Sequence, residues 1–244
     1  MIKRSVLYFL AAVLLAINLG GGVPASALPP DFGGKEILRL YADNRFVCTG
    51  FFIEPPLEEP PAGDVFFSGG SSWLVTAGHC VGNGMLTAKV TEHFEIALTV
   101  YAKVLLSPFH GKKAIDLAIL TIPSGYIGKI KELDLADEDA KPGDSVYFHG
   151  FPRGIEAIGN YGIVEPIPGD KMLNGKMIHI YGSKVNGGAS GSPVLNPEGE
   201  VVGIVWGMSN FTDKIAYITP VSYIKKMLEF LDLRDAAAYP DPYF

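Results

Sequence analysis

Three side chains in this 244-residue sequence could together perform acyl transfer. His79 lies in the segment TAGHC, Asp116 begins the apolar run DLAIL, and Ser190 lies in GASGSP. A serine hydroxyl is a weak nucleophile until a histidine takes its proton, and that histidine needs an acid to fix its tautomer and stabilise the imidazolium. Each segment alone also fits an ordinary role, as a surface histidine, a turn acid and a small-residue loop. Together they predict a serine nucleophile with its base and its orienting acid.

The glycines around Ser190 then favour a tight turn over a slack linker. The segment VNGGASGSP, from Val185 to Pro193, consists mostly of glycine, alanine and serine. Glycine adopts backbone conformations that other residues avoid, so two N–H groups of such a turn can face one point. One N–H donor to a developing oxyanion is worth about 3 to 4 kcal/mol.

The sequence predicts that short β-strands position these residues. Apolar runs separated by turn residues are typical of a β-sandwich or barrel. The ten predicted strands are Glu36–Tyr41, Phe46–Ile53, Ser72–Thr76, Phe94–Lys103, Ala114–Ile122, Ser145–Gly150, Ile158–Val164, Met177–Tyr181, Glu200–Trp206 and Ile215–Thr219.

One helix and two interruptions complete the pattern. Apolar residues recur at helical spacing from Val221 to Leu231, which predicts a packed terminal helix. The segment Glu54–Gly70 contains four prolines and predicts an exposed excursion, because proline cannot donate to a central ladder. The more polar segment Ser124–Gly143 is the predicted link between two halves.

The first 27 residues predict a signal peptide. Lys3 and Arg4 precede the apolar run Ser5–Leu19, and small residues lead to a cleavage site after Ala27. The alternative, an uncleaved membrane anchor, requires a longer apolar run. No other segment is apolar enough to cross a bilayer, so we expect a secreted or periplasmic protein without stable membrane insertion.

Composition disfavours several other classes of function. The net charge of −6 and the lack of a dense Lys/Arg run argue against a nucleic-acid partner. No metal or other cofactor is expected, because the sequence has no phosphate-binding or dinucleotide motif and four histidines lack metal-ligand spacing. These four are His93, His110, His149 and His179.

The sequence contains two cysteines, Cys48 and Cys80. In an exported chain an even pair favours a disulfide, and the alternative is two buried free thiols. A disulfide closing a loop of this length would stabilise the fold by about 3 to 4 kcal/mol in the chain-entropy model.

Five motifs in order resemble those of the trypsin/chymotrypsin-like serine protease family. TAGHC matches the family's histidine motif, DLAIL resembles its aspartate motif DIALL or DLALL, and GASGSP resembles its serine motif GDSGGP. FVCTGFFI, which contains Cys48, resembles the family's CGGSLI strand. GIVWG, from Gly203 to Gly207, resembles GIVSWG with one residue fewer. The resemblance spans roughly residues 36 to 231.

The resemblance implies an all-β fold of two six-stranded antiparallel barrels, chymotrypsin-like, with the active site between them and a C-terminal helix. It divides the chain into the signal peptide 1–27, a first barrel half at 28–130, a second at 131–220, and the helix and tail at 221–244, together one peptidase domain. About a dozen residues follow the predicted helix, so no C-terminal PDZ-type domain is expected.

The resemblance also assigns roles to the motif residues. His79 would be the general base and then the general acid, Asp116 its orienting acid, and Ser190 the nucleophile. The N–H groups of Gly188 and Ser190 would form the oxyanion hole. The stretch Val205, Trp206 and Gly207 would pair with an extended substrate.

The family's cysteine pairing would join Cys48 to Cys80. In that family the cysteine of the CGGSLI strand bonds to the one directly after the catalytic histidine. Both positions are occupied by cysteine in this sequence.

Two departures bear on activation and specificity. Ala189 replaces the acid that pairs with a new N-terminus in digestive members, so no zymogen switch of that type is expected. The serine motif ends in SGSPV, as in the bacterial members that include glutamyl endopeptidases, and HGFPRG, from His149 to Gly154, resembles a glycine-proline turn of bacterial members. Lys184 lies near the expected floor of the specificity pocket, where it would favour an acidic side chain or point to solvent instead. Val205 stands where glutamyl members place a histidine, which weakens the acidic alternative.

These observations predict a secreted serine endopeptidase that acts on protein or peptide substrates through an acyl-enzyme. The alternative is an inactive homologue that binds a protein or peptide in the same cleft. The sequence leaves the preferred residue before the cut and the oligomeric state open.

Overall fold

A computed structural model describes the parts of the chain that surround the predicted site. The described residues are 36–42, 44–53, 71–81, 86–91, 94–106, 115–123, 131–155, 158–166, 176–181, 186–209 and 214–236. The predicted signal peptide, the proline-rich segment Glu54–Gly70 and Lys184 lie outside these residues.

The first half of the chain forms a closed antiparallel barrel of six strands in the order β1-β2-β3-β6-β5-β4. Its strands are β1 Ile37–Ala42, β2 Arg45–Ile53, β3 Ser71–Thr76, β4 Leu86–Thr91, β5 Phe94–Leu106 and β6 Ile115–Pro123. Closure leaves no exposed sheet edge, which removes a route to aggregation.

The second half forms another closed antiparallel barrel, in the order β10-β11-β12-β9-β8-β7. Its strands are β7 Ser145–Gly150, β8 Ile158–Pro166, β9 Lys176–Tyr181, β10 Pro193–Leu195, β11 Val201–Met208 and β12 Ile215–Pro220. In β7 buried residues alternate with half-buried ones, as expected of a strand with one face in the core. A helix, α1, follows directly at Val221–Ala236.

The linker between the barrels is bonded to both of them. The Leu133 N–H donates to the Phe52 carbonyl of the first barrel at 2.9 Å, and Val201 of the second barrel donates to Asp134 at 2.8 Å. The Asp139 carboxylate then accepts from the N–H and hydroxyl of Ser222 in the first turn of α1, each at 2.9 Å. Such a contact satisfies helix N–H groups that would otherwise lack acceptors.

The two barrels and α1 share one apolar core. Its buried residues come from the first barrel, the linker, the second barrel and the helix, and include Phe51, Ile119, Leu133, Ile204 and Ile224. Within the described residues, no helix is long and apolar enough to span a membrane.

The predicted fold is confirmed, with two six-stranded barrels and a C-terminal helix. All ten predicted strands are present with ends shifted by up to three residues, and the helix begins at Val221 as predicted. Two strands were missed. They are β4, whose sequence LTAKVT mixes polar and apolar residues, and β10, which has only three residues.

Candidate active site

The histidine and the aspartate meet because β3 and β6 are antiparallel neighbours. Thr76, the last residue of β3, pairs with Ala118, two residues after Asp116 near the start of β6. After Ala77, the short 3₁₀ turn Gly78–Cys80 carries His79 back over this end of the barrel. The pairing of the two strands therefore brings His79 and Asp116 together.

The Asp116 carboxylate is bound to His79 twice. One oxygen lies 2.6 Å from His79 Nδ1, and the other accepts the His79 backbone N–H at 2.8 Å. The Asp116 side chain is 10% exposed and that of His79 is 41% exposed. A carboxylate at Nδ1 keeps the proton on that nitrogen, so Nε2 is left to accept a proton from a nucleophile.

Ser190 lies in a tight turn that depends on two glycines. Gly188 and Gly191 have φ angles of +97° and +84°, a region that favours glycine. The turn is bonded to both barrels, because the Thr49 N–H donates to the Ser190 carbonyl at 2.9 Å and the Gly191 N–H donates to Val205 at 2.7 Å. The segment is thus a rigid turn and not a linker.

Among the described residues, the N–H groups of Gly188 and Ser190 have no acceptor. Among the residues that the structure describes, neither Gly188 N nor Ser190 N donates a hydrogen bond, whereas Ala189, Gly191 and Ser192 all do. An oxyanion hole requires such available donors beside the nucleophile.

The Ser190 hydroxyl is turned toward the second barrel in this structure. It donates to the Trp206 carbonyl at 3.5 Å. Within the described residues this hydroxyl has no hydrogen bond to His79. Serine side chains have three staggered rotamers, and the hydrogen bonds of a catalytic site are often loose without substrate.

Cys48 and Cys80 form a pair whose sulfur atoms lie at disulfide bonding distance, next to His79. Cys48 of β2 and Cys80 have Cα atoms 5.9 Å apart. Cys80 Sγ lies 3.8 Å from His79 Nε2. These three ligand-type atoms lie within 4.8 Å of one another, but sulfurs bonded to each other are not thiolate ligands, so the cluster is not a metal centre.

The three residues predicted to pair with the substrate differ in their surroundings: Val205 lies in the core, whereas Trp206 and Gly207 lie on a strand edge that β10 does not cover. Val205 is buried, and its N–H and carbonyl are bonded to Ser192 and Gly191, so neither group can pair with a substrate. Within the described residues, β10 pairs with β11 only as far as Ile204. Trp206 and the residues after it therefore offer the edge on which an extended peptide could add.

Trp206 joins the two barrels at this point. It lies at a break in the β11–β12 register, where Val205 and Gly207 pair with successive residues of β12. Its ring stacks on Tyr217 with centroids 5.4 Å apart and packs against the apolar cluster of the first barrel. Local widening of a strand at a bulge commonly redirects a side chain in this way.

The position before the nucleophile is apolar for a structural reason. Ala189 is 2% exposed and belongs to the apolar core of the second barrel, with Val205, Ala216 and Ile218. An unpaired carboxylate buried at this position would be destabilising.

Thr49 and the turn at Phe151–Ile155 contact the predicted site but were not predicted from the sequence. Thr49 is fully buried and contacts residues 186–192, the turn that carries the predicted nucleophile Ser190 and is called the nucleophile turn below. The Arg153 N–H donates to the Gly187 carbonyl at 2.7 Å. A buried threonine next to Cys48 and the HGFPRG turn were visible signals. The contact of both segments with the backbone around Gly188 arises only in the tertiary structure, so the sequence did not show it.

The family model of the trypsin-like peptidase domain matches residues 48–204. The match covers more than half of the chain and includes all three motifs with His79, Asp116 and Ser190. The chain therefore belongs to the trypsin-like peptidase domain family.

Sequence relatives include HtrA-like serine proteases of Staphylococcus aureus. The protein of strain USA300 is 29% identical over 189 residues, which are 71% of this chain and 23% of that protein. The protein of the bovine strain RF122 is 26% identical over the same length. The chain thus spans about a quarter of the length of these curated relatives.

Solved structures share the fold at low identity. The active form of the Rv3671c protease from M. tuberculosis has a TM-score of 0.62 and 19% identity, covering 91% of this chain and 89% of that one. A serine endoprotease from Yersinia pestis has a TM-score of 0.60 and 15% identity, covering 85% of this chain and 68% of that one.

Proposed function

We propose that this protein is an exported serine endopeptidase with His79, Asp116 and Ser190 as its triad. The proposal rests mainly on one observation, the Asp116 carboxylate 2.6 Å from His79 Nδ1, together with the glycine turn in which the Gly188 and Ser190 N–H groups lack acceptors among the described residues. Membership in the trypsin-like family supports the same reaction class.

In the proposed reaction, Ser190 Oγ attacks the carbonyl carbon of the scissile peptide while His79 Nε2 takes the hydroxyl proton. Asp116 stabilises the resulting imidazolium. The N–H groups of Gly188 and Ser190 bind the oxyanion of the tetrahedral intermediate. The intermediate collapses as His79 gives the proton to the leaving amine, and water then hydrolyses the acyl-enzyme through the same base. None of these reaction steps uses a cofactor.

The substrate would be an extended protein or peptide segment. It would add to the available edge of β11 from Trp206 onward, through backbone hydrogen bonds that depend little on sequence. Lys184 stays a predicted specificity residue.

The first experiment labels the protein with a fluorophosphonate probe and compares it with Ser190→Ala. We expect the wild type to become labelled and Ser190→Ala to stay unlabelled, because the probe reacts with an activated serine. A second control, Ser192→Ala, removes the other serine of the turn, whose side chain is fully buried and which should not react.

The outcomes separate the enzyme from a binding protein. Labelling that disappears only in Ser190→Ala supports the proposal, and a peptide library then defines specificity. Equal labelling of wild type and Ser190→Ala, or no labelling of either, contradicts it. In the latter case the inactive homologue that binds a peptide in the cleft becomes the better account.

A further inference from the structure

Thr49 occupies the point where three segments of the chain meet. It lies on β2, directly after Cys48, and is fully buried. Its side-chain hydroxyl donates to the Gly188 carbonyl at 2.8 Å and accepts the Phe151 N–H at 3.1 Å. One hydroxyl of the first barrel thus bonds both to the turn after β7 and to the nucleophile turn.

The direction of these bonds is fixed by chemistry. A backbone N–H can only donate, so the Thr49 oxygen is the acceptor for Phe151. The single hydroxyl proton is then available for the Gly188 carbonyl, which can only accept. Its one proton is therefore committed to the Gly188 carbonyl, and no other arrangement of that proton satisfies both neighbours.

The other peptide beside Gly188 is held by a backbone group. The Arg153 N–H donates to the Gly187 carbonyl at 2.7 Å. The carbonyl and the N–H of a trans peptide point in opposite directions, so this bond aims the Gly188 N–H away from Arg153. Arg153 has a φ of +59°, which is rare for a residue with a side chain and marks a strained turn.

The surroundings leave Gly188 little room to move. A Cβ at Gly188 would lie 2.6 Å from the Phe151 carbonyl and 2.5 Å from the Phe46 ring. The Phe151 ring itself packs under the Arg39 guanidinium, whose carbon lies 4.3 Å from the ring centroid. Arg39 also donates to the Ile155 carbonyl at 2.6 Å. Arg39 thus anchors the turn Phe151–Ile155 to β1.

We propose that Thr49 is a positioning residue for the oxyanion hole: its hydroxyl fixes the peptide on the Ala189 side of Gly188, as the Arg153 N–H fixes the peptide on the Gly187 side, and Gly188 is thereby held with its N–H facing the reacting carbonyl oxygen. The inference rests on the proposed function, in which Gly188 and Ser190 donate to the oxyanion. Thr49 itself does not touch the substrate, so it acts through Gly188.

The test compares Thr49→Val, Thr49→Ser and wild type in hydrolysis of a small ester. Valine keeps the shape and loses the hydroxyl, whereas serine keeps the hydroxyl. We expect Thr49→Val to lower kcat by about 10- to 100-fold, somewhat less than the loss of a whole oxyanion donor, with KM within about twofold. Thr49→Ser should stay within about threefold of the wild-type kcat.

A control separates positioning from general loss of stability. Ser222→Ala removes another hydroxyl bond, to Asp139 at the start of α1, far from the nucleophile turn. It should lower the melting temperature without lowering kcat at a temperature where all variants are folded. Thr49→Ala repeats the loss of the hydroxyl with a smaller side chain where valine prevents folding.

Crystal structures of wild type and Thr49→Val give a readout independent of turnover. We expect the peptide between Gly187 and Gly188, which carries the Gly188 N–H, to change its orientation in the variant once the Gly188 carbonyl loses its hydrogen bond. An unchanged peptide, a kcat within twofold of wild type, or an equal loss in Thr49→Ser would each overturn the inference. An inactive wild type would instead refute the proposed function, and the orientation of that peptide would still decide the role of Thr49.

Discussion

At the scale of single residues, His149 shows how burial changes a side chain that the proposed reaction does not use. It lies on β7 opposite Gly159, where an added Cβ would collide with the imidazole. Its Nε2 is 3.4 Å from the Tyr147 hydroxyl, and the two rings are 4.9 Å apart. Burial lowers the pKa of His149, and the negative charge of Glu36 offsets this only in part. His149 is therefore neutral in the folded protein near pH 7.

This lowered pKa predicts acid sensitivity. The unfolded chain binds a proton at His149 near pH 6.5, and the folded protein does so only at lower pH. Stability should therefore fall as the pH drops below about 6.5 toward the lowered pKa. We expect His149→Gln to lose less stability than wild type between pH 7.5 and 5.5, as measured by urea unfolding. Equal losses in the two proteins would contradict this role of His149.

The sequence predicted residues whose motifs together suggest a reaction and missed residues defined only by their contacts. His79, Asp116 and Ser190 were predicted because their types and neighbouring residues fit acyl transfer when the three are taken together. Thr49 is an ordinary strand residue until the fold places its hydroxyl 2.8 Å from the Gly188 carbonyl. Val205 was assigned to the substrate edge, because a sequence does not show which carbonyls of a strand are already bonded.

At the scale of elements, the conformation of the nucleophile turn depends on its close packing against β2. Gly191 has a φ of +84°, and an added Cβ would collide with the Thr49 carbonyl and the Thr76 hydroxyl. The carbonyl belongs to the backbone of β2 and cannot rotate away. Gly187, four residues earlier in the same turn, has open space around it and no positive φ.

The two glycines therefore predict opposite results for the same change. Gly191→Ala should destabilise the fold by about 2 to 4 kcal/mol, from backbone strain and the clash, and should abolish probe labelling of Ser190. Gly187→Ala should change stability by less than about 0.5 kcal/mol and keep the labelling. Chemical denaturation and fluorophosphonate labelling of both variants test this. Similar behaviour of the two variants would show that the turn is not seated against β2 as described.

Element prediction succeeded where hydrophobic runs were long and failed where pairing partners define the strand. β2 and β6 each have nine residues and were found from their apolar sequences. β10 has only three residues, and its place in the barrel follows from pairing with β7 and β11. Pairings between residues far apart in the chain are not visible in local sequence patterns.

At the scale of the whole molecule, the barrels do not have separate cores where they meet. One apolar cluster includes Phe51 and Ile119 from the first barrel, Ile204 from the second and Ile224 from α1. The linker adds Leu133 to the same cluster and is bonded to a strand of the first barrel. Trp206 of the second barrel packs against another cluster, which belongs to the first. Loss of either barrel would expose this shared surface.

The shared core predicts that the two barrels unfold together. Ile224 is fully buried in the cluster, so Ile224→Ala should cost about 2 to 5 kcal/mol, the range for a large aliphatic side chain removed from a core. Because the cluster joins both barrels, the loss should lower one calorimetric transition as a whole. Glu229→Ala, an exposed change on the same helix, should shift stability by less than about 0.5 kcal/mol. Two separate transitions, with only one shifted by Ile224→Ala, would mean that the barrels are energetically independent and that Thr49 and Ser190 are held together by their hydrogen bonds without support from a common core.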